Sequence, residues 1–119
     1  MNLGRKKSGG KYHHQKKRKL YEKRNQERVV SIGETKLKQI GIRGGKMKTL
    51  VLRTNKANIL SKGKIQKANI KNVVETPQNR FWARDNRLTK GAIIETSLGK
   101  ARITNRPSQE GMVNAILIE

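Results

Sequence analysis

GAIIETSLGKARITNRPSQEGMVNAILIE, residues 91 to 119, is the stretch that decides the fold. It holds three short aliphatic runs. Ser97-Leu98-Gly99 separates the first from the second, and PSQEG, residues 107 to 111, separates the second from the third. Branched aliphatic side chains suit a pleated sheet, and short runs between Gly, Pro, Asn and Ser clusters read as strands joined by turns. The stretch therefore predicts a strand, a turn, a strand, a second turn and a final strand. Upstream, SKGK at 61 to 64 is a further turn signal, and residues 65 to 70 are expected to pair back on KANIL as a hairpin. Ile70, Val73 and Val74 have helical spacing, which predicts one short helical turn closing that segment. TPQNRFWARDNR, residues 76 to 87, reads as a polar loop. Leu50, Val51 and Leu52 mark another strand, and Val30, Ile32, Ile40 and Ile42 follow the strand period of two. No helix–strand alternation, long amphipathic helix or solenoid repeat is present. The predicted fold class is all-β: a small barrel-like domain of short antiparallel strands over residues 29 to 119, with a core of Ile, Leu and Val.

Residues 1 to 28 have a different character. They carry eleven of the chain's 29 basic residues and only two acids, Glu22 and Glu27, while Leu3 and Leu20 are the only aliphatics after Met1. Ordering costs about 1–2 kcal/mol per backbone residue, and this segment has nothing to bury in return. Helix formers run from Gln15 to Arg28, but like charges at neighbouring positions oppose a helix. The segment is expected to be a disordered basic extension that orders on a partner. The whole chain has a net charge of +21 with 33% hydrophobic residues. Such self-repulsion points to a polyanionic partner. With no cysteine, there is no disulfide framework, thiolate metal site or cysteine nucleophile. No apolar run approaches the ~20 residues of a membrane span, and no apolar stretch follows the basic N-terminus as in a secretory signal. A cytosolic protein is expected.

His13 and His14 suggest a ribonuclease, but general acid–base cleavage needs two groups held rigidly on opposite sides of a bond, and adjacent residues of an unfolded tail are not so held. They lack further ligands at useful spacing for a metal. GIRGGKMK, residues 41 to 48, fails the spacing of the nucleotide-binding phosphate loop, and Met47 stands where Ser or Thr is needed. It reads either as a plain glycine turn or as a turn whose Gly44 and Gly45 let the backbone approach a phosphate beside Arg43, Lys46 and Lys48. Phe81 and Trp82 lie among Arg80, Arg84 and Arg87, with Lys90 beyond. In an extended segment they would point opposite ways, one anchoring the loop and the other free to stack on an unpaired base. Arg102 and Arg106 extend the positive face, or are simply solvated charges. The eight acids are scattered, with no pair placed for acid–base catalysis.

The order of these motifs is familiar. KKSGGKYHHQKKRKLYEKR, residues 6 to 24, resembles the N-terminal signature of the eight-e family of small-subunit ribosomal proteins: a basic residue, Ser8-Gly9-Gly10, a basic run from Lys16 to Lys19, and Tyr21-Glu22. IRGGKMK, NVVETPQN, FWARDNRLTKGAIIET and GKARITNRPSQEGMVNAILI are similar to further elements of that family, so the resemblance covers nearly the whole chain, at a length typical of archaeal members. Lys23-Arg24-Asn25 stands where the family commonly has Gly-Arg, and Lys46 where it often has Asn.

The resemblance implies a barrel-like domain with a basic extension, bound to small-subunit ribosomal RNA beside neighbouring ribosomal proteins. It implies no catalysis, cofactor, small-molecule substrate, membrane or homo-oligomer. The residues expected to face RNA in the extension are Arg5, Lys6, Lys7, Ser8, Gly9, Gly10, Lys11, Tyr12, His13, His14, Lys16, Lys17, Arg18, Lys19, Tyr21, Lys23 and Arg24. In the domain they are Arg43, Gly44, Gly45, Lys46, Lys48, Arg80, Trp82, Arg84, Arg87, Lys90, Arg102 and Arg106. Three alternatives were set beside this reading: a nucleic-acid-binding module outside the ribosome, a nuclease using His13 and His14, and a membrane-surface protein. The ordered motifs argue against the first. The unheld histidines argue against the second. The lack of an apolar face in the extension argues against the third.

Overall fold

The computed structural model describes residues 4–25 and 27–118. Among these residues seven strands form: β1 (Lys36–Gly41), β2 (Met47–Arg53), β3 (Lys56–Ser61), β4 (Lys64–Glu75), β5 (Ile93–Thr96), β6 (Gly99–Ile103) and β7 (Asn114–Leu117). One short helix, α1 (Arg80–Arg84), lies between β4 and β5. β3 through β7 make a closed barrel, and β1 with β2 makes a separate antiparallel hairpin. Within the barrel each strand pairs antiparallel with the next, and β7 closes the ring by lying parallel to β3, Ile59 opposite Ala115. Closure leaves no unpaired barrel edge to template aggregation. The all-β barrel expected from residues 91 to 119 is the fold that forms.

The interior is narrower than a purely Ile, Leu and Val core would allow. Ile59, Ile70, Val73, Leu88, Ile94, Ile103 and Val113 are buried, but Ala57, Ala68, Ala92, Ala101 and Ala115 are buried among them. A small barrel fills its taper by setting small side chains against large ones. At the β5–β6 turn the buried Thr96 hydroxyl donates to the Gly99 carbonyl at 2.7 Å and accepts from the Leu98 amide at 3.3 Å. The β3–β4 turn uses Lys62 at φ 47° and Gly63 at φ 76°. Positive φ at both central residues matches the twist of a two-residue hairpin.

Three expectations need correction. The helical spacing of Ile70, Val73 and Val74 is not a helix. β4 runs unbroken to Glu75, and its register shifts between Ile70 and Asn72 and again between Val73 and Glu75. A bulge consumes an extra residue, so two inward side chains fall three apart in sequence. Ile70 and Val73 are buried, whereas Val74 is 44% exposed. Secondly, residues 80 to 84 are helical rather than loop. The Asn79 side chain accepts from the Phe81 amide at 2.9 Å and caps the first turn. Thirdly, the alternation from Val30 to Ile32 builds no strand of its own. Ser31 makes only an isolated bridge to Arg53. At Gly33, φ is 159° and a Cβ would lie 2.7 Å from Arg53 Cδ, so the chain bends where the side chain of another residue would clash.

Val30 is the first buried residue among those described, and its carbonyl accepts from the Leu88 amide at 2.9 Å. The β1–β2 hairpin is fastened to the barrel through β2. Val51 joins the core, and its amide donates to the carbonyls of Pro107 and Glu110 at 3.2 and 3.1 Å. Residues 4–25 are exposed throughout. The radius of gyration is 21.5 Å and the longest dimension 76 Å. A compact chain of this length would have a radius of about 13–14 Å, so the extension projects away from the barrel.

Candidate nucleic-acid interface

The extension begins with a tight bend. The Lys6 amide donates to the Gly10 carbonyl and the Gly9 amide to the Lys6 carbonyl, both at 2.9 Å, and Arg5 pairs with Lys11 across the turn. Gly9 sits at φ 80°, in the left-handed region that favours glycine. Arg5 Nη1 donates to the Gly9 carbonyl at 3.1 Å, and Lys6 Nζ stands 5.6 Å from the centre of the Tyr12 ring. Ser8, Gly10, Lys7, His13 and His14 lie on the same exposed stretch. The bend thus gathers Arg5, Lys6, Lys7 and Lys11 within one turn of chain.

Further on, among the described residues of the helix-forming run, a single 3-10 turn forms, Leu20–Glu22. Glu22 holds it: its carboxylate accepts from the Lys19 amide and from Lys16 Nζ, both at 3.0 Å. Those two contacts, the backbone one larger, hold the Glu22 carboxyl below its ordinary range. Lys17, Arg18, Lys23 and Arg24 are exposed, and Leu20 and Tyr21 are 85% and 83% exposed. A tyrosine so open to solvent contributes nothing to folding and remains available to a partner.

Arg43, Gly44 and Gly45 form the tip of the β1–β2 hairpin. Gly44 and Gly45 have φ of 79° and 70°, and a Cβ on either would meet nothing within 4 Å. The tip is therefore open, with Arg43 and Lys46 exposed on it. Lys48 does not join them. It is half-buried, and its Nζ donates to Gln109 Oε1 at 2.6 Å. That bond turns it away from the tip, toward the loop after β6.

Lys48 there meets Lys90 and Arg106. The three line a cleft of about 640 Å³, which also borders Asn25, Arg28, Trp82, Leu88 and Pro107. They also line a second cleft of about 580 Å³ beside it, together with Asn105 and Glu110. The Glu110 carboxylate accepts from Asn105 Nδ2 at 2.6 Å. Four separate segments build the first cleft: the end of the extension, the β1–β2 hairpin, the α1 region and the β6–β7 loop. Arg102, expected beside Arg106, is elsewhere; it borders Glu75, Pro77 and Ile93.

On α1, Phe81 is 51% exposed, with the guanidinium carbons of Arg80 and Arg84 at 5.1 and 5.5 Å from its ring centre. Arg87 lies 5.3 Å from the Trp82 ring centre, and its Nε is 3.5 Å from Asp85 Oδ2. Phe81 is thus the exposed member of the aromatic pair and Trp82 the half-buried one, and Arg28, outside the expected contact residues, also borders the first cleft. Asn79, a residue able to cap, was the available local signal for the helix that presents Phe81. Nothing local signalled Arg28.

A different surface lies on the outer wall of the barrel. Ile65, Leu60 and Ile116 are side by side across β4, β3 and β7, and with Met112 they are 73, 40, 47 and 52% exposed. Among the described residues no helix is long and apolar enough to cross a membrane.

A family model for ribosomal protein S8e matches residues 2–118. A relative in Halorubrum lacusprofundi, named small ribosomal subunit protein eS8, is 42% identical over 115 residues, covering 97% of this chain and 94% of the relative. Proteins of the same name in Methanocorpusculum labreanum and Nanoarchaeum equitans are 44% identical over 117 residues and 42% over 106. Those matches cover 97% and 87% of this chain and 94% and 84% of the relatives.

Proposed function

This chain belongs to the S8e family of ribosomal proteins, and from that premise we propose that it is a structural constituent of the small ribosomal subunit, binding and stabilising folded small-subunit ribosomal RNA through phosphate contacts. The family is one of structural proteins, not of enzymes. The observation that carries the RNA reading is the unbroken exposure of residues 4–25, which include ten lysines and arginines and no buried side chain. A segment of that kind gives up its self-repulsion when phosphates neutralise it and condensed counterions are released. Phosphate contacts fix position and are indifferent to sequence, so recognition is of RNA shape.

In this reading residues 1 to 28 are the anchor. Residues 29 to 119 hold the anchor's exit point and add a second contact through Lys48, Lys90, Arg106 and the open glycine tip. The outward row of Leu60, Ile65, Ile116 and Met112 supports contact with a neighbouring ribosomal protein, because aliphatic side chains gain nothing from phosphate. The protein acts in the cytoplasm, within the small subunit.

Sedimentation of cell lysate through a density gradient tests this, with the chain detected by antibody at low and then moderate salt. Co-migration with the small subunit that survives moderate salt is expected. A chain that stays at the top of the gradient even at low salt would instead favour a nucleic-acid-binding module outside the ribosome.

A further inference from the structure

Building on the RNA reading, we propose that the cleft bordered by Trp82 is a pocket for one unpaired nucleotide of the bound RNA, its base against the indole and its phosphate between Lys48, Lys90 and Arg106. The volume of about 640 Å³ falls in the range of roughly 300–1,000 Å³ typical of ligand pockets. The lining is divided in the way a nucleotide is divided. Trp82 offers an aromatic surface and the three cations offer charge, while Leu88 and Pro107, themselves buried, back the wall. Arg87 lies 5.3 Å from the centre of the indole but does not line the cleft, so it leaves the cleft itself open to a base.

Two features set the pocket's geometry. The Lys48 ammonium is held at 2.6 Å by Gln109, which fixes one cation before any RNA arrives. The same three cations line the adjoining cleft, so positive charge continues past the pocket, where the next phosphate of a strand would lie. One carboxylate, Glu27, also borders the pocket, and Glu110 borders the adjoining cleft. An A-form duplex keeps its bases stacked inside and shows its surroundings only phosphates and 2′-hydroxyls. An indole at the wall of a cleft cannot reach such a base, whereas a bulged or loop nucleotide can enter.

Trp82 is the only tryptophan of the chain, so its fluorescence reports on the pocket directly. The full-length protein is titrated with a 12-nucleotide single-stranded RNA of mixed sequence and with a 16-base-pair RNA duplex, and fluorescence anisotropy of labelled RNA measures binding in parallel. The extension should bind both. The single strand is expected to quench Trp82 in step with binding, and the duplex to bind without quenching. Base–aromatic stacking gives about 5- to 160-fold in affinity, so Trp82→Leu should weaken single-strand binding by about that factor and leave duplex binding unchanged. Trp82→Phe should retain most of it. A thermal midpoint close to the parent's shows that the variants are folded, which duplex binding through the extension would not. Single-strand binding with no change in emission, or equal single-strand affinity for Trp82→Leu, would overturn the pocket and leave the RNA reading intact. Binding of neither RNA would overturn the RNA reading, and the pocket with it.

Discussion

Removing residues 1 to 28 should lower affinity for small-subunit ribosomal RNA by about a thousand-fold or more near physiological salt, and should flatten the salt dependence. The deleted segment carries eleven basic residues and two acids. Each neutralised phosphate contributes about 0.7–0.9 to the slope of log affinity against log salt concentration, and six to ten such contacts govern roughly 10³–10⁵ in affinity between 50 and 200 mM salt. With about half of the eleven engaged, the slope should fall by about 4–5. The remaining domain keeps 18 basic residues (29 less 11) and six acids (eight less two). It should still bind, but weakly. Its thermal midpoint should hardly move, because residues 4–25 bury nothing. That pairing separates a lost anchor from a lost fold. Filter binding at four or five salt concentrations measures both affinity and slope. Unchanged values for both would remove the extension from the interface.

Replacing Ile94 by alanine should unfold the barrel far more readily. Ile94 has no exposed surface, and its strand neighbours are Val73 and Ala101. Truncating a buried isoleucine costs about 2–5 kcal/mol, the higher values arising where the surroundings cannot collapse into the space. Here collapse is limited, because Ala101 opposite it and four other members of the core cluster are already alanine and have no side chain to swing into the space. For a domain of this size each kcal/mol shifts the midpoint by about 4–8 °C, so the midpoint should fall by well over ~10 °C. Ile116→Ala, on the outer wall at 47% exposure, is the control and should cost little. Ribosomal RNA should recover less than the about 2.7 kcal/mol that a ligand of the folded state alone supplies at a hundred times its dissociation constant, since the extension binds RNA whether or not the barrel is folded. Thermal unfolding with and without RNA decides it. A midpoint of Ile94→Ala within a few degrees of the parent would mean that the barrel interior does not carry the fold.

What the sequence made legible follows from how local each signal is. The last three strands and the β3–β4 hairpin announce themselves through aliphatic runs and through turns such as Ser97-Leu98 and Lys62-Gly63, all within a few residues. The bulged end of β4 misled because an extra residue imitates the helical period at Ile70 and Val73. α1 was missed because five residues are too few to show a period, leaving only the Asn79 cap to betray it. The parallel return of β7 to β3 and the alanine-lined interior are properties of closure, and no short window carries closure. The interface divides in the same way. The extension's charges are contiguous and were read at once. The cleft draws Arg28, Lys48, Trp82, Lys90 and Arg106 from four segments, so its members could be suspected singly but not assembled.

The central claim is that the extension and the cleft rim lie against RNA in the subunit. Lysine acetylation tests it most directly: intact small subunits and the free protein are treated briefly with an acetylating reagent, and modification at each lysine is read by mass spectrometry. The account predicts strong protection in the subunit at Lys6, Lys7, Lys11, Lys16, Lys17, Lys19 and Lys23, and at Lys48 and Lys90. Modification of these lysines in the subunit as fast as in the free protein would contradict it.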